Sequence, residues 1–306
     1  MAAPAGTLRI ALPLQALSFC LRISGIVGAI ATLYRAFLLK SILALLALFF
    51  TLPVAAAPLS VELDHASKTW QTAELLKHPD AQTVQIVDDV SYKRAMTYRA
   101  VPLAVLLPGL DPQSHLQAVA LDGFAAELAA APLLEKRGAR AWLAVEDPAH
   151  PWPALAPGKP SAGPFYLVWT DPQAGHISPA QWPFQVAAIK QLKGVAERFP
   201  SLLPDPKLAA DDPINQGFAL FQKNCLACHR LNGAGDAQVG PDLNIPYNPT
   251  EYFGGDFLKR YIRDPQSLRH WPQAKMPGFA ASVLPDNELD LLVGYLKHMA
   301  GRKQHP

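Results

Sequence analysis

The pentapeptide Cys225-Leu226-Ala227-Cys228-His229 decides how the C-terminal part of this sequence is interpreted. Two cysteines three positions apart project from the same side of one helical turn. That spacing lets both sulfurs bond covalently to one haem, while the adjacent His229 reaches the iron from below the ring. We therefore interpret the pentapeptide as an attachment motif for c-type haem.

Other uses of a cysteine pair explain less of this motif. A structural zinc site needs two further soft ligands, and the remaining cysteine, Cys20, lies in an N-terminal segment that export removes or separates. A thioredoxin-like pair opens a helix after a strand, whereas this pair is predicted to end a helix. A disulfide stays an alternative, but it leaves His229 without a role.

The residues around the motif predict a helical block. Asp212 and Pro213 are typical of a helix start, with an acidic cap followed by proline in the first turn. The following apolar residues recur on one helical face: Ile214, Phe218, Phe221 and Cys225. A second short helix is predicted over 256–263. The last helix is predicted to begin near Asp286 and to end at Gly301.

The second axial ligand of the iron has to come from elsewhere in the chain. Met276 lies in the turn-rich segment KMPG (275–278), just before the last predicted helix, and a loop methionine there suits the opposite face of the haem. Most methionines are gap-filling core residues, so packing is the alternative role. His270 is a competing ligand that would give a bis-histidine haem. Met299 is better explained by packing on the last helix.

Residues 212–303 resemble a class I cytochrome c. The resemblance is carried by Gly217, Phe221 and Tyr295 at the crossing of the first and last helices, and by segments 239–243 (VGPDL), 261–265 (YIRDP) and 276–277 (MP). It implies an all-α domain with one haem c. In that family the carbonyl matching Pro241 accepts the ring N–H of the proximal histidine, which fixes the imidazole. Histidine–methionine ligation with both axial positions filled implies one-electron transfer rather than catalysis at the iron.

The block before it, 58–197, is predicted to be an α+β domain. Its candidate strands are 82–90, 115–121, 139–147 and 163–171, each rich in β-formers and bounded by Gly, Pro or Asp. Helices are predicted at 125–136 and in the run after Trp182. The proline-rich stretch 148–164 is expected to be an irregular loop.

This block resembles the molybdopterin-binding fold of sulfite-oxidase-like oxidoreductases. The similar stretches are 98–103 (YRAVPL), 121–124 (LDGF), 141–146 (AWLAVE) and 163–169 (GPFYLVW). In that family a cysteine thiolate binds molybdenum, but residues 58–211 contain no cysteine. The resemblance implies the fold. Because the cysteine ligand is missing, we expect no molybdopterin and a fold reused as a docking or binding module.

Residues 1–57 read as a targeting segment. They contain four cations and no acid, and from Ser41 the chain runs SILALLALFFTLPVAAA: an apolar stretch, a proline and then small residues. This order is typical of a secretory signal, with cleavage after Ala57 and a periplasmic destination. An uncleaved membrane tether is the alternative. Residues 10–33 are a further apolar stretch, either a first membrane pass or sequence upstream of the true start.

Length and charge complete the prediction. The 306 residues divide into the segment 1–57, the domain 58–197, a proline-rich linker 198–211 and the domain 212–303. The net charge of +2 and the lack of a basic domain argue against nucleic-acid binding. We expect an exported monohaem electron carrier that meets a redox partner protein, such as a dehydrogenase, an oxidase or another cytochrome. The alternatives are a haem-linked oxidoreductase whose N-terminal domain acts on a small substrate, and a haem-based redox sensor or assembly factor.

Overall fold

Two β-sheets form the N-terminal part of the protein in a computed structural model that describes residues 57–237, 239–271 and 276–304. One sheet has five strands in the order β2-β1-β9-β5-β6, and the other has four in the order β3-β4-β7-β8. Neighbouring strands are antiparallel except for the parallel pair β1 and β9. The strands are β1 (Leu59–Leu63), β2 (Ala66–Trp70), β3 (Gln82–Ile86), β4 (Met96–Pro102), β5 (His115–Ala120), β6 (Ala125–Ala129), β7 (Arg140–Val145), β8 (Phe165–Thr170) and β9 (Val186–Leu192).

The core of this sheet region draws side chains from both sheets, and most of its buried aromatic members lie on the four-stranded sheet. Trp142 on β7 and both Tyr166 and Trp169 on β8 are buried, and nearly every residue of these two strands is inaccessible to solvent. Strands that are buried on both faces carry continuous rather than alternating apolar sequence, which explains runs such as FYLVW. The expectation of strands at 82–90, 115–121, 139–147 and 163–171 is confirmed, with somewhat tighter bounds.

Of two helix predictions in this region, one is wrong and the other holds only in part. The first half of 125–136 is strand β6, which pairs with β5 along its whole length, and only Ala130–Leu134 is helical. The run after Trp182 forms β9, the strand between β1 and β5. Alanine-rich sequence favours a helix in isolation, but hydrogen bonds to neighbouring strands override that weak preference.

Eight helices occur in the described part of the chain, and the longest two lie in the C-terminal region. They are α1 (Thr72–Leu76), α2 (Ala130–Leu134), α3 (Val195–Arg198), α4 (Pro213–Asn224), α5 (Pro249–Tyr252), α6 (Phe257–Arg263), α7 (Pro265–Leu268) and α8 (Asp286–Ala300). Helix α4 begins as predicted, because the Asp212 carboxylate accepts the N–H of Ile214 at 2.8 Å. None of these helices combines the length and the apolar character that a membrane span requires.

Helices α4 and α8 cross closely at a glycine. A Cβ atom at Gly217 would lie 2.2 Å from the carbonyl oxygen of Leu291 and 2.7 Å from Cβ of Tyr295, so only glycine allows this approach. The ring of Tyr295 packs against Phe218 and Phe221, with centroid separations of 5.6 and 5.3 Å. This contact holds the end of α4, where the cysteine motif begins, against the last helix.

The predicted linker 198–211 lies against the helical region. Leu202 is fully buried and belongs, with Val195, to the hydrophobic core of that region. Its carbonyl accepts the hydroxyl hydrogen of Tyr295 at 2.7 Å. The sheet and helical regions, each with its own core, are thus joined by a packed connection, and the described residues of both regions belong to one compact unit.

Candidate functional site

The cysteine motif continues directly from the last turn of α4. Cys225 caps the helix by donating its N–H to the carbonyl of Phe221 at 2.9 Å. The N–H groups of Cys228 and His229 then donate to the carbonyl of Cys225 at 3.0 and 2.9 Å, so all three residues lie on one further turn. Burial, reinforced by the neighbouring Cys228 sulfur, raises the pKa of the Cys225 thiol to about 12. Both cysteine side chains are half-buried.

The two ring nitrogens of His229 have different environments. Nδ1 lies 2.8 Å from the carbonyl oxygen of Pro241. A carbonyl can only accept a hydrogen bond, so Nδ1 carries the hydrogen and Nε2 keeps its lone pair. Burial lowers the pKa of His229, although the bond to Pro241 acts in the opposite direction. The imidazole is thus held in the neutral tautomer that ligates a metal through Nε2.

A short loop, 230–243, of which all residues except 238 are described, brings Pro241 to His229. The N–H of Gly240 donates to Cys228 O at 2.7 Å, and that of Leu243 donates to Arg230 O at 2.8 Å. Gly240 lies against the imidazole so closely that a Cβ atom there would be 2.5 Å from Cε1 of His229. The loop is therefore shaped around the ring of His229.

The side chain of Asp242 stabilises the same loop from within. One carboxylate oxygen accepts the N–H groups of Asn244 and Ile245, both at 2.8 Å, and the other accepts the N–H of Gly233 at 2.7 Å. These bonds fix the backbone on either side of Pro241. The proline carbonyl is consequently a preorganised acceptor.

Met276 is placed on the helical core by the residues that follow it. Its side chain is partly buried against the same core as Cys225. Gly278 packs on the end of α6, where a Cβ atom would lie 2.5 Å from the carbonyl oxygen of Arg263. The N–H of Phe279 donates to Ile262 O at 3.1 Å. Lys275, the first residue of the predicted KMPG segment, lies outside the described residues, as do 272–274.

The competing ligand candidates have other environments. His270 is exposed at the end of the described segment 239–271, whereas Met299 is fully buried in the core of the helical region. Packing is thus a sufficient role for Met299. The structure brings together His229 and Pro241, and it places Met276 and Cys225 on one core.

The residues that form this site also match a known protein family. The family model described as Cytochrome c matches residues 214–300, from the second residue of α4 to the end of α8. The C-terminal region is a cytochrome c domain. Haem c binding and haem-based electron transfer follow from that match. No curated protein matches the chain.

The residues of the cytochrome c domain fit a covalently attached haem. His229 offers a neutral Nε2, two half-buried cysteines stand on the adjoining turn, and a partly buried thioether lies on the same core. The predicted C-terminal cytochrome c domain is therefore confirmed. The sheet-rich region is confirmed as such, whereas its likeness to sulfite-oxidase-like proteins stays a prediction. The individual ligand roles of Cys225, Cys228, His229 and Met276 likewise stay predictions.

Sequence reasoning missed a ladder of hydrogen-bonded, buried asparagines behind loop 230–243, which is called the haem-attachment loop from here on. Asn244 donates to Asn232 Oδ1 and to Met299 O, each at 2.7 Å, and Asn248 donates to Asn244 Oδ1 and to Leu296 O, each at 2.9 Å. The ladder thereby binds the carbonyl groups of Leu296 and Met299 near the C-terminal end of α8. The structural role of Asn248 at a helix start could have been predicted, because Asn248, Pro249 and Glu251 form a typical helix-capping sequence.

A second unforeseen contact joins the cytochrome c domain to the sheet region. The N–H of Ala125, the first residue of β6, donates to the carbonyl oxygen of Ala227 at 3.2 Å. Ala227 is one of the two residues between the motif cysteines, and it is only 1% exposed. The sheet region therefore touches the attachment motif itself.

Proposed function

We propose that the protein is an exported monohaem c-type cytochrome that transfers single electrons between partner proteins. In this proposal Cys225 and Cys228 form the thioethers to the haem, and His229 and Met276 are the axial ligands. The proposal rests on the cytochrome c match and on the donors that the fold assembles around the motif.

The single observation that carries the proposal is the hydrogen bond from His229 Nδ1 to Pro241 O at 2.8 Å. A ligating histidine usually donates its other ring N–H to a carbonyl or carboxylate, which fixes the tautomer and the orientation of the ring. Gly240 and Asp242 keep that carbonyl in place through the close approach to the ring and the bonds to the loop backbone. When bound, haem supplies one-electron redox chemistry, and a thioether ligand such as Met276 raises its reduction potential.

For the N-terminal region we propose a docking or binding role rather than catalysis. Residues 58–211 have no cysteine that could serve as a molybdenum ligand. The partner is a redox protein, for example a dehydrogenase, an oxidase or another cytochrome. Export to the periplasm, with cleavage after Ala57, follows from the composition of residues 1–57.

Substitution of Met276 tests the axial assignment. We expect Met276→Ala to open a coordination position, and Met276→His to lower the reduction potential, because imidazole stabilises ferric iron more than a thioether does. Absorption spectra and potentiometric titration of the purified holoprotein measure both effects. Met299→Leu is the matched control, since it removes a buried sulfur from the same core with little change in volume. An unchanged spectrum and potential in both Met276 variants would rule out this ligand.

Metal and cofactor analysis distinguishes a monohaem electron carrier from a haem-linked oxidoreductase. We expect one haem iron per chain, covalently bound, without molybdenum or pterin. Stoichiometric molybdopterin in the purified full-length protein would overturn the carrier proposal in favour of a haem-linked oxidoreductase.

A further inference from the structure

A cluster of charged side chains lies between the sheet region and the haem-attachment loop. Arg198, at the end of α3, donates from Nη2 to both carboxylate oxygens of Glu127, each at 2.7 Å, and from Nη1 to Asp236 Oδ2 at 2.6 Å. Glu127 belongs to β6, whereas Asp236 belongs to loop 230–243. One guanidinium group therefore connects a sheet strand with the loop that carries Pro241.

Two polar residues of β5 complete the cluster. Gln117 Nε2 donates to Glu127 Oε1 at 2.8 Å and to Asp236 Oδ2 at 2.7 Å, so it also bridges the two carboxylates. The ring of His115 contacts the second oxygen of Glu127 through Nε2. The side chain of Glu127 is only 3% exposed, and every one of its oxygens has a partner. Burying a carboxylate in this way is costly unless it is paired and hydrogen-bonded.

The cluster and the backbone bond from Ala125 to Ala227 hold the chain at two points, one before His229 and one after it. The backbone bond holds the residues between the motif cysteines, and the cluster holds the loop seven residues after His229. Asp236 itself is 43% exposed. Without the guanidinium, the carboxylate of Asp236 would lie beside that of Glu127 with no arginine charge between them. The side chain of Asp236 would then turn towards solvent.

We infer that Arg198 is a positioning residue for the haem-attachment loop: it holds Asp236 against Glu127 and so fixes the loop that carries Pro241 to the sheet region. The sheet region then supports the haem site in addition to any docking role. The inference rests on the proposed function, in which His229 is the ligand that Pro241 orients. The planar guanidinium suits this task because its two terminal nitrogens each serve a different carboxylate, Nη2 that of Glu127 and Nη1 that of Asp236, whereas an ammonium has one nitrogen.

The test uses the full-length holoprotein and three variants. Arg198→Met removes the charge and the hydrogen bonds, Arg198→Lys keeps the charge but donates from one nitrogen instead of two, and Asp236→Asn weakens the loop's side of the contact while Arg198 and Glu127 stay paired. Lys193→Met is the matched control, because Lys193 lies just before α3 and its side chain pairs with the exposed Glu197, while the bond from Arg198 Nε to the Lys193 backbone carbonyl is left intact. The measurements are amide hydrogen exchange over 230–243 and the reduction potential.

We expect exchange over 230–243 to become at least about tenfold faster in Arg198→Met, since local opening no longer breaks a buried ion pair. The potential should fall, because two carboxylates near the loop lose their cation and stabilise ferric iron. Arg198→Lys should restore the potential more fully than the exchange protection. Asp236→Asn in the Arg198→Met background should accelerate exchange no further, since the two residues act as one unit.

Three results would overturn the inference: exchange and potential in Arg198→Met equal to those of Lys193→Met, full additivity of the Arg198 and Asp236 effects, or complete restoration of exchange protection by lysine. If Arg198→Met does not fold, Asp236→Asn alone carries the same comparison with Lys193→Met. Failure of the proposed function is distinguishable, because wild-type protein without covalent haem would contradict that proposal whatever the exchange data show.

Discussion

At His229, one backbone carbonyl decides which ring nitrogen remains available for a metal. The bond from Nδ1 to Pro241 O leaves Nε2 unprotonated, and burial keeps the ring neutral by lowering its pKa. The resemblance to class I cytochromes implied this contact from five residues of sequence, VGPDL. The close packing of Gly240 on the ring is a finding of the structure.

Gly240→Ala tests how tightly the loop is shaped around the ring. The new Cβ would lie 2.5 Å from Cε1 of His229, so the imidazole or the loop has to move. We expect a loss of about 1–3 kcal/mol in unfolding free energy, as overpacking commonly causes, together with a changed ligand-field spectrum. Gly254→Ala is the control, because no atom lies near its added Cβ. Equal stability and spectra in the two variants would refute this account.

Residue-level prediction succeeded where chemistry is encoded locally and failed where it depends on long-range contacts. The spacing of Cys225, Cys228 and His229 predicts haem attachment without any structure. Arg198 could not be singled out, because its partners Asp236 and Glu127 stand 38 and 71 positions away. A charged residue in a helical turn ordinarily reads as a solvated surface group.

At the scale of elements, the crossing of α4 and α8 sets the position of the motif. Gly217 allows the two backbones to approach, and Tyr295 fills the space beside it against Phe218 and Phe221. The helix starts and ends in this region follow from caps and apolar periodicity, which act within one turn. The sequence AAELA of strand β6 predicts a helix, because these residues favour a helix locally. Only pairing with β5 makes the segment a strand.

Two glycine substitutions at this crossing should have opposite effects on stability. Gly217→Ala places a Cβ 2.2 Å from the Leu291 carbonyl oxygen and should destabilise the domain by about 1–3 kcal/mol. Gly294→Ala meets only Cδ1 of Ile214, at an ordinary 3.7 Å. It should stabilise α8 by about 0.5–1 kcal/mol, because alanine has the higher helix propensity. Chemical denaturation of the holoprotein measures both, and a stabilising Gly217→Ala would contradict the crossing geometry.

At the scale of the whole molecule, the two hydrophobic cores are linked by a packed connection. Val195 and Leu202 belong to the core of the helical region although they directly follow the sheet region in sequence. Composition alone suggested a linker there, since prolines without periodicity are typical of one. Sequence cannot show whether such a segment packs, because that depends on a surface supplied by distant residues such as Tyr295.

We expect the sheet and helical regions to unfold together. Tryptophan fluorescence reports mainly on the sheet region, where Trp142, Trp169 and Trp182 are buried, and haem absorbance reports on the cytochrome c domain. Thermal transitions followed by the two probes should coincide, as a cooperative unit requires. Leu202→Ala, which opens a cavity in the connection, should lower both midpoints in parallel. Two separate transitions in the wild type would show that the connection does not couple the regions.

The backbone bond between Ala125 and Ala227 has a consequence for solubility. Strand β6 ends the five-stranded sheet, so within the described part of the chain one side of it has no neighbouring strand, and four of its five residues are buried. Unpaired strand edges of this kind recruit other chains and promote aggregation. Here the motif segment of the cytochrome c domain lies over the first residue of that edge. We therefore expect a fragment ending before α4 to expose this edge and to self-associate more readily than the full-length protein, which size-exclusion chromatography of the two would show.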